Sequence, residues 1–478
     1  MPHRTKMKFS ALLAVLLMSA CSVAPPLKSP AVPREDAYAK GDELVSLNQK
    51  IAMGDRIASD WWKMFASKPL DALIRQAVRN NYGLVAARET TKQAEEAANA
   101  AEGSLMPQVS LNAQAGRQKY GVALFGPSNF SIPPFAYYEI GPSVSWTPDL
   151  FGAERHRVER QKALAAYQVH QLDAAYLSLT GNTAAATLEM ASARDEIEAV
   201  RGILADDEKT LALVRDAYEV GSASKTDVLS AHTRLLADQA MLPAIENRMA
   251  VSRHALSILV GQAPSNWLPP RLALSDFTLP GTLPLSLPSE LVRNRPDILA
   301  AQANLDAAGA ALGVANSDFY PSITLTANMM QEALTPAGVF RGAAKAWALA
   351  TGISAPIFSG GTLSAEKREA EHAYRAAAAS YQQTILSAFG EVADALTSLA
   401  HDDDAVSILQ STADAAGSTL QIARAGYREG EIGLIQVQDA QRTLAQAQLG
   451  LVRSLHQRYL DCVRLFIALG GTSAAAKT

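Results

Sequence analysis

The sequence is written twice. Leu84-Val85-Ala86-Ala87 through Leu105-Met106-Pro107-Gln108-Val109-Ser110-Leu111 recurs as Ile298-Leu299-Ala300-Ala301 through Phe319-Tyr320-Pro321-Ser322-Ile323-Thr324-Leu325 at a constant offset of 214. Further along, Arg215, Tyr218, Gly221, Val228, Ala231, Leu235 and Gln239 return as Arg424, Tyr427, Gly430, Val437, Ala440, Leu444 and Gln448 at an offset of 209. Such a period is far too long for a solenoid repeat, so the chain must fold as a duplicated unit with internal pseudo-twofold symmetry. Each copy reads as short helix, strand pair, long helix, turn and short helix. The first copy spans 71–260, with its strand pair in 107–148, and the second spans 289–469, with its strand pair in 321–357. Residues 261–288 connect them and 470–478 form a tail.

The long helices carry the clearest periodicity. Alternating steps of four and three from Leu172 to Tyr218 meet only two polar residues, Thr183 and Asp207, and the same positions shifted by 209, from Tyr381 to Tyr427, meet only Asp402. That is a heptad seam of the coiled-coil kind, and its many Ala residues let helices approach closely. Residues 150–219 and 359–428 predict helices of about 70 residues, roughly 100 Å at 1.5 Å per residue. Residues 71–105 and 225–260 predict helices half as long, so two end to end match one long helix. Pro243 should kink its helix. Gly221 and Gly430 stand where each chain turns back, supplying the left-handed backbone of a helix C-terminus.

Between short and long helices the period changes to two. In Val109-Ser110-Leu111-Asn112-Ala113-Gln114-Ala115 and Ile323-Thr324-Leu325-Thr326-Ala327-Asn328-Met329, apolar residues alternate with small polar ones, as in a sheet with one wet face. Partner strands are expected near Tyr137–Thr147 and Ala344–Ile357, with loops over 121–136 and 334–342 and with Tyr137, Tyr138, Trp146 and Trp347 as interfacial aromatics. Strands of about ten residues suffice to cross a bilayer when tilted. Four strands cannot close a barrel, and a barrel in lipid tolerates no open edge. Two chains would supply eight strands and three would supply twelve; the strands alone do not choose between them. A small soluble sheet satisfies the same alternation.

The first residues are an address. Arg4, Lys6 and Lys8 precede the apolar run Phe9 to Met18, too short to span a bilayer, and then Ser19-Ala20 ahead of Cys21. Leu17-Met18-Ser19-Ala20-Cys21 resembles the bacterial lipobox, which implies a signal peptide over 1–20, a diacylated and N-acylated Cys21 and an extended N-terminal segment over 21–70. Ser22 in place of Asp after the acylated Cys is compatible with transport to the outer membrane. The full chain of 478 residues carries a net charge of −4, and loss of residues 1–20 with three basic and no acidic residues takes it to −7. An acidic chain offers no field for nucleic acid. With only Cys21 and Cys462, the chain has no disulfide framework and no zinc site of paired cysteines.

The duplication, the turns Tyr218 to Gly221 and Tyr427 to Gly430, the junctions Leu150-Phe151-Gly152 and Ile357-Phe358-Ser359-Gly360-Gly361 and the lipobox together resemble the outer-membrane efflux factors, TolC-like and OprM-like proteins and especially the lipidated NodT-like members. The resemblance covers nearly the whole mature chain. It implies a mainly α fold with a transmembrane β-barrel: four strands per protomer in a shared twelve-stranded barrel of a homotrimer, continued by a long α-helical coiled-coil tunnel. It also implies partners, a periplasmic adaptor and an inner-membrane transporter, in a tripartite system that exports small toxic compounds from the periplasm or the pump to the exterior. No cofactor beyond the lipid on Cys21 is implied. By position in the family, Thr226, Asp227, Tyr427 and Asp439 belong to a periplasmic gate, and the turns at Gly221, Gly430 and Gly433 are where an adaptor docks. Ile432 and Gln436 depart from the gating Arg and the additional Asp of TolC-like members, so the resting lock is differently bonded.

Enzyme motifs are absent from the sequence: no H-E-x-x-H, G-x-S-x-G or G-x-G-x-x-G occurs, and the run from Gly221 to Thr226 lacks the Gly that a P-loop needs before its Lys. His401-Asp402-Asp403-Asp404 reads as a solvated helix face rather than a metal site, and Cys462 as a small core residue. Two other functions fit parts of the pattern, the outer exit duct of a type I protein secretion system and a periplasmic lipoprotein adaptor or scaffold.

Overall fold

The computed structural model of the chain describes residues 38, 50–55, 57–120 and 133–470. The signal segment 1–20, Cys21, most of the loop 121–136 and the tail after Gly470 lie outside the described residues. In chain order the helices are α1 (Lys68–Asn80), α2 (Tyr82–Gly103), α3 (Ala153–Glu219), α4 (Lys225–Gln239), α5 (Leu242–Leu259), α6 (Pro288–Asn294), α7 (Pro296–Ser317), α8 (Thr362–Glu429) and α9 (Leu434–Ala468). The strands are β1 (Lys50–Met53), β2 (Gln108–Gln118), β3 (Phe135–Trp146), β4 (Thr282–Leu285), β5 (Ser322–Ala333) and β6 (Lys345–Ser354). Two compact units result, and each draws matching stretches from both copies.

The first unit comprises Thr91–Tyr167 and Ala301–Tyr381. At its centre lies one antiparallel sheet in the order β2-β3-β5-β6, so the copies join through β3 and β5. Register follows the alternation: Val109 opposes Val144, Ala327 opposes both Val144 and Leu349, and a one-residue slip would turn every side chain to the wrong face. The long helices start later than expected, at Ala153 and Thr362. Gly152 and Gly361 precede them in the same left-handed conformation (φ +91°), which a helix cannot continue through.

The second unit comprises the described parts of Ala31–Thr90, Gln168–Ala300 and Gln382–Thr478. The heptad positions Leu172, Leu179, Ala193, Ile197, Val200, Leu211 and Val214 of α3, and Ile385, Ala388, Val392, Ala395, Leu399, Leu420 and Ala423 of α8, are buried as their spacing predicts. Each large aliphatic among them contributes about 1.5–3 kcal/mol. The polar exceptions are accommodated individually. Thr183 donates to the Leu179 carbonyl of its own helix at 2.7 Å, and the two aspartates pair across helices as described below. An aromatic core, Trp61, Phe65, Tyr459 and Phe466, closes around α9, with neighbouring ring centroids 5.6–6.3 Å apart. Cys462 is fully buried beside it, and burial pushes its thiol up, as expected of a core residue.

Three expectations change here. The helix expected over 71–105 is interrupted at Asn81, whose side chain caps the new helix by accepting from Leu84 N at 3.0 Å. The helix expected over 225–260 is interrupted for two residues, Ala240 and Met241, both with right-handed backbone, ahead of Pro243, which cannot donate to the preceding turn and sits in the first turn of α5. The position 209 later is Val452, and α9 there runs unbroken for 35 residues. The connecting segment also holds β4, which pairs in parallel with β1, Ile51 opposite Leu283.

Candidate functional site

The polar face of the four-stranded sheet is one functional surface. Ser110, Asn112, Gln114, Thr324, Thr326 and Asn328 all fall on it, since directly paired residues share a face: Ser110 with Ser143, Ser143 with Asn328, Thr326 with Ser145. Its hydroxyls and amides bond to one another. Ser110 Oγ lies 2.8 Å from Ser143 Oγ, Asn112 Nδ2 donates to Ser143 Oγ at 2.7 Å, and Gln114 Nε2 donates to Tyr137 Oη at 2.7 Å. Tyr137 therefore lies on the wet face, over Gly116, and not among the interfacial aromatics. Gly116 leaves room for the Tyr137 ring, which a Cβ there would approach to 2.6 Å and displace.

Sequence reading missed the most charged feature of that face. Glu139 and Glu332 stand directly opposite one another on β3 and β5. Like charges in that relation are destabilising, so their placement on the polar face calls for a functional reason. The period-two alternation through Glu139, Ser143 and Ser145 was the signal that could have found the first of them.

The other face is bare and is apolar except toward the loop end of the strands, where Arg117, Gln331 and Lys345 share it. Val109, Leu111, Met329, Trp347, Leu349 and Ile353 are exposed in a single chain, Trp347 and Leu349 by 75% and 74%. Trp146 and Tyr138 share this face, and the Trp146 indole donates to the Leu105 carbonyl at 2.9 Å. An apolar sheet surface of this extent does not face water in a soluble protein.

The helix turns form the second candidate surface, within the second unit. After α3, Gly221 adopts φ +77° and Ser222 and Ala223 donate back to the Ala217 carbonyl; after α8, Gly430 adopts φ +77° and Glu431 donates to Gly426. Ser224 then caps α4 in a capping box. The Asp227 carboxylate accepts from both Ser224 N and Ser224 Oγ at 2.8 Å, and those bonds hold its pKa below the usual carboxylate value. Gly433 occupies the corresponding cap of α9 without a side chain to bond.

Of the expected gate residues, the structure brings two together. Tyr427 packs at once on the cluster of Leu211, Val214, Val228, Ala231 and Leu434 and on that of Leu420, Ala423, Val437 and Ala440. Burial raises the Tyr427 pKa and the nearby Asp227 charge adds to it. Thr226 is exposed beside them. Asp439 lies farther along α9, where Arg442 pairs with it at 2.9 Å and where, with Gln436, it lines a groove of 810 Å³ between α8 and α9. Ile432 packs against the Val437 cluster.

A polar tie missed in the sequence links three helices next to these turns. Arg424 of α8 reaches Asp206 of α3 at 3.4 Å, and Gln441 of α9 donates to Thr210 Oγ1 at 2.8 Å and to the Asp206 carbonyl at 3.3 Å. Two carboxyl pairs lie deeper. Asp207 of α3 faces Asp238 of α4, which Arg234 holds at 2.7 Å, and Asp402 of α8 faces Asp461 of α9, which Arg464 holds at 2.7 Å. Asp403 is buried against Arg458, so the run from His401 to Asp404 is not the solvated face expected of it: only His401 and Asp404 are exposed. Among the described residues no group of three or more His, Cys, Asp or Glu is placed to hold a metal ion.

Comparison with known proteins places these features. The family model described as outer membrane efflux protein matches residues 73–262 and 287–471, one match for each copy. The toluene efflux pump outer membrane protein TtgF of Pseudomonas putida is 30% identical, the alignment covering 95% of this chain and 94% of that protein. The probable outer membrane lipoprotein SilC of Salmonella typhimurium is 27% identical over 98% of this chain and 99% of its own length. Among solved structures, the outer-membrane channel OprN superposes with a TM-score of 0.87 at 27% identity, covering 94% of this chain and 99% of that one.

Proposed function

The chain belongs to the outer membrane efflux protein family and serves in the outer membrane as the channel of an efflux system, and we propose that three copies close a single barrel around a common bore. The observation that carries this reading is the sheet: one bare apolar face, one hydrogen-bonded polar face and, among the described residues, two edge strands, β2 and β6, without partners. Lipid tolerates neither unpaired edges nor an open sheet, so the apolar face meets hydrocarbon, the polar face lines water and the edges pair with other copies. Three copies of four strands give twelve. Glu139 and Glu332 then repeat as a ring of carboxylates that favours cations in the bore.

The helical part supplies a periplasmic tunnel that is shut at rest near the turns. Thr226, Asp227, Tyr427 and Asp439 form the gate region, with the tie from Arg424 and Gln441 to Asp206 and Thr210 holding α8 and α9 against α3 in the closed state. The turns at Gly221, Gly430 and Gly433 receive a periplasmic adaptor that connects to an inner-membrane transporter. Cargo consists of small toxic compounds, and no chemical step on it is required. The copies run over 71–260 and 289–469, joined by 261–288. Cys21 carries the lipid that tethers the N-terminal segment to the outer membrane, each buried methylene contributing about 0.8 kcal/mol.

The test is electrical and biochemical. Protein extracted from outer membranes should run as a heat-modifiable oligomer and give stepwise cation-preferring conductance in planar bilayers. A water-soluble monomer without conductance would refute the shared barrel. Cys21→Ser should lower membrane retention while leaving conductance of the purified oligomer unchanged.

A further inference from the structure

We propose that the apolar face of the four-stranded sheet ends, toward the loops, in a binding site for the headgroup phosphates of anionic lipid in the outer leaflet, built on Arg117 of β2 and Lys345 of β6. The inference rests on the shared-barrel reading, which turns this face to lipid, and adds a ligand to it.

Four charged side chains occur in β2, β3, β5 and β6, and they are sorted by face. Glu139 and Glu332 stand on the polar face, Arg117 and Lys345 on the apolar one. Both bases are exposed, and among the described residues neither side chain has an ion-pair partner. A charge turned to lipid is costly at the bilayer midplane and is tolerated near the headgroups, so these two side chains mark the rim of the apolar band.

The duplication puts them in one row. Arg117 pairs with Ala136, and the equivalent positions at offsets of 214 and 209 are Gln331 and Lys345, which also pair. Each hairpin therefore carries one base in the same row, on its edge strand. The next row toward the helices, Ala115 with Tyr138 and Met329 with Trp347, gives each hairpin one aromatic ring. The row after that, Ala113 with Ile140 and Ala327 with Leu349, is aliphatic. Base, aromatic and aliphatic in that order trace the passage from headgroup to hydrocarbon, because amphipathic rings collect at the boundary.

The loop end also carries a single sign of charge. Residues 117–138 and 333–345 contain Arg117, Lys119, Arg341 and Lys345 and no Asp or Glu. Lys119 and Arg341 are exposed as well. Glu139 and Glu332, which flank these stretches, belong to the opposite face, so cargo in the bore meets the acids and lipid outside meets the bases. Joining the edges between copies gathers bases of two chains on one stretch of the rim. Such a rim fits a lipid whose headgroup bears phosphates, since a guanidinium bonds two phosphate oxygens at once and each base adds attraction to an anionic leaflet.

The purified full-length oligomer, titrated with diphosphoryl lipid A and with the same lipid stripped of its phosphates, tests the site by native mass spectrometry. The parent should prefer the phosphorylated lipid, a comparison that needs no variant. R117Q/K345Q should weaken that binding about 25-fold, roughly fivefold for each base, and R117K/K345R should retain it. Inorganic phosphate at millimolar concentration should not displace the lipid. Equal binding of the two lipids, undiminished binding by R117Q/K345Q, loss of binding in R117K/K345R, or displacement by free phosphate overturns the lipid site. Conductance of the same samples separates the two readings: a conducting oligomer indifferent to the phosphates sinks the site and leaves the barrel standing, whereas a parent that forms no oligomer sinks the shared barrel and the site with it.

Discussion

Asn81 and Arg295 hold equivalent positions in the two copies, and each donates to the carbonyl that ends the corresponding helix: Asn81 Nδ2 to Leu259 O at 3.0 Å and Arg295 Nη1 to Ala468 O at 2.8 Å. The tie is kept while the side chain that makes it has changed. Arg295 is buried and adds ion pairs to Asp297, at 2.9 Å, and to Glu391. Gly261 and Gly470, both at positive φ, end those helices against the same break, and a Cβ on Gly261 would meet Asn80 O at 2.3 Å.

Arg295→Ala should therefore destabilise the second unit by about 2–4 kcal/mol, since a buried carbonyl loses its charged donor, and Asn81→Ala by about 1–2 kcal/mol. Arg295→Asn should recover part of the loss if its amide reaches Ala468 as Asn81 reaches Leu259. Denaturation of the purified protein followed by far-ultraviolet circular dichroism measures all three.

Glu139→Gln and Glu332→Gln should each lower cation preference, and the double variant should lower it further. The reversal potential of the bilayer conductance in a salt gradient reports the change. The difference should shrink as ionic strength rises and screening shortens the field to about 3 Å at 1 M salt. A smaller loss is expected of Asp439→Asn, whose carboxylate already has Arg442 beside it.

Arg424→Ala should favour the open tunnel. One charge-assisted tie of about 1.4 kcal/mol corresponds to roughly tenfold in the ratio of closed to open channels. Resting conductance per channel and uptake of large antibiotics by cells carrying the variant should both rise. Asp227→Asn should instead act through the helix end, weakening the capping box by about 1 kcal/mol with little change in selectivity.

The carboxyl pairs predict a pH dependence of stability. Burial, then the facing Asp238, push Asp207 up to about 7 against the opposing Arg234, with Asp206 adding to the rise. Burial, then Asp461, push Asp402 up to about 7, with Asp403 adding and Arg458 opposing. The folded state then holds protons that the unfolded chain has released. Each pair contributes most below the unfolded carboxylate value and loses its contribution as pH rises through about 7, with a slope of at most about 1.4 kcal/mol per unit. The apparent unfolding temperature should fall between about pH 5 and pH 8, and Asp207→Asn with Asp402→Asn should flatten that fall.

Particular residues explain what could be read in advance. The alternation around Asn112 and Thr326 named the strands and their wet face because a two-residue period has few other causes. The seam positions named the buried stripe of α3 and α8 for the same reason. Asp207 and Asp402 appeared only as interruptions, since their partners Asp238 and Asp461 lie on other helices. Asn81 gave a weaker sign than Pro296, its neighbour in the second copy, because Asn breaks a helix only when its side chain finds a cap. β1 and β4 are four residues each, too short for a period to register. Among the residues expected at a gate, position in the family marked Asp227 and Tyr427, but the capping box and the two-sided packing that hold them required coordinates.

The interruption before Pro243 leaves each chain with two unlike limbs. The α4–α5 arm has a joint at Ala240 and Met241 ahead of Pro243, which has no backbone donor, whereas α9 runs unbroken along its whole length. Bending in the first arm costs less than in the second, where it must unravel hydrogen bonds, so any displacement of the helix turns would concentrate in one arm of each chain. A ring built of such chains would dilate unevenly, alternating yielding and stiff segments around its circumference.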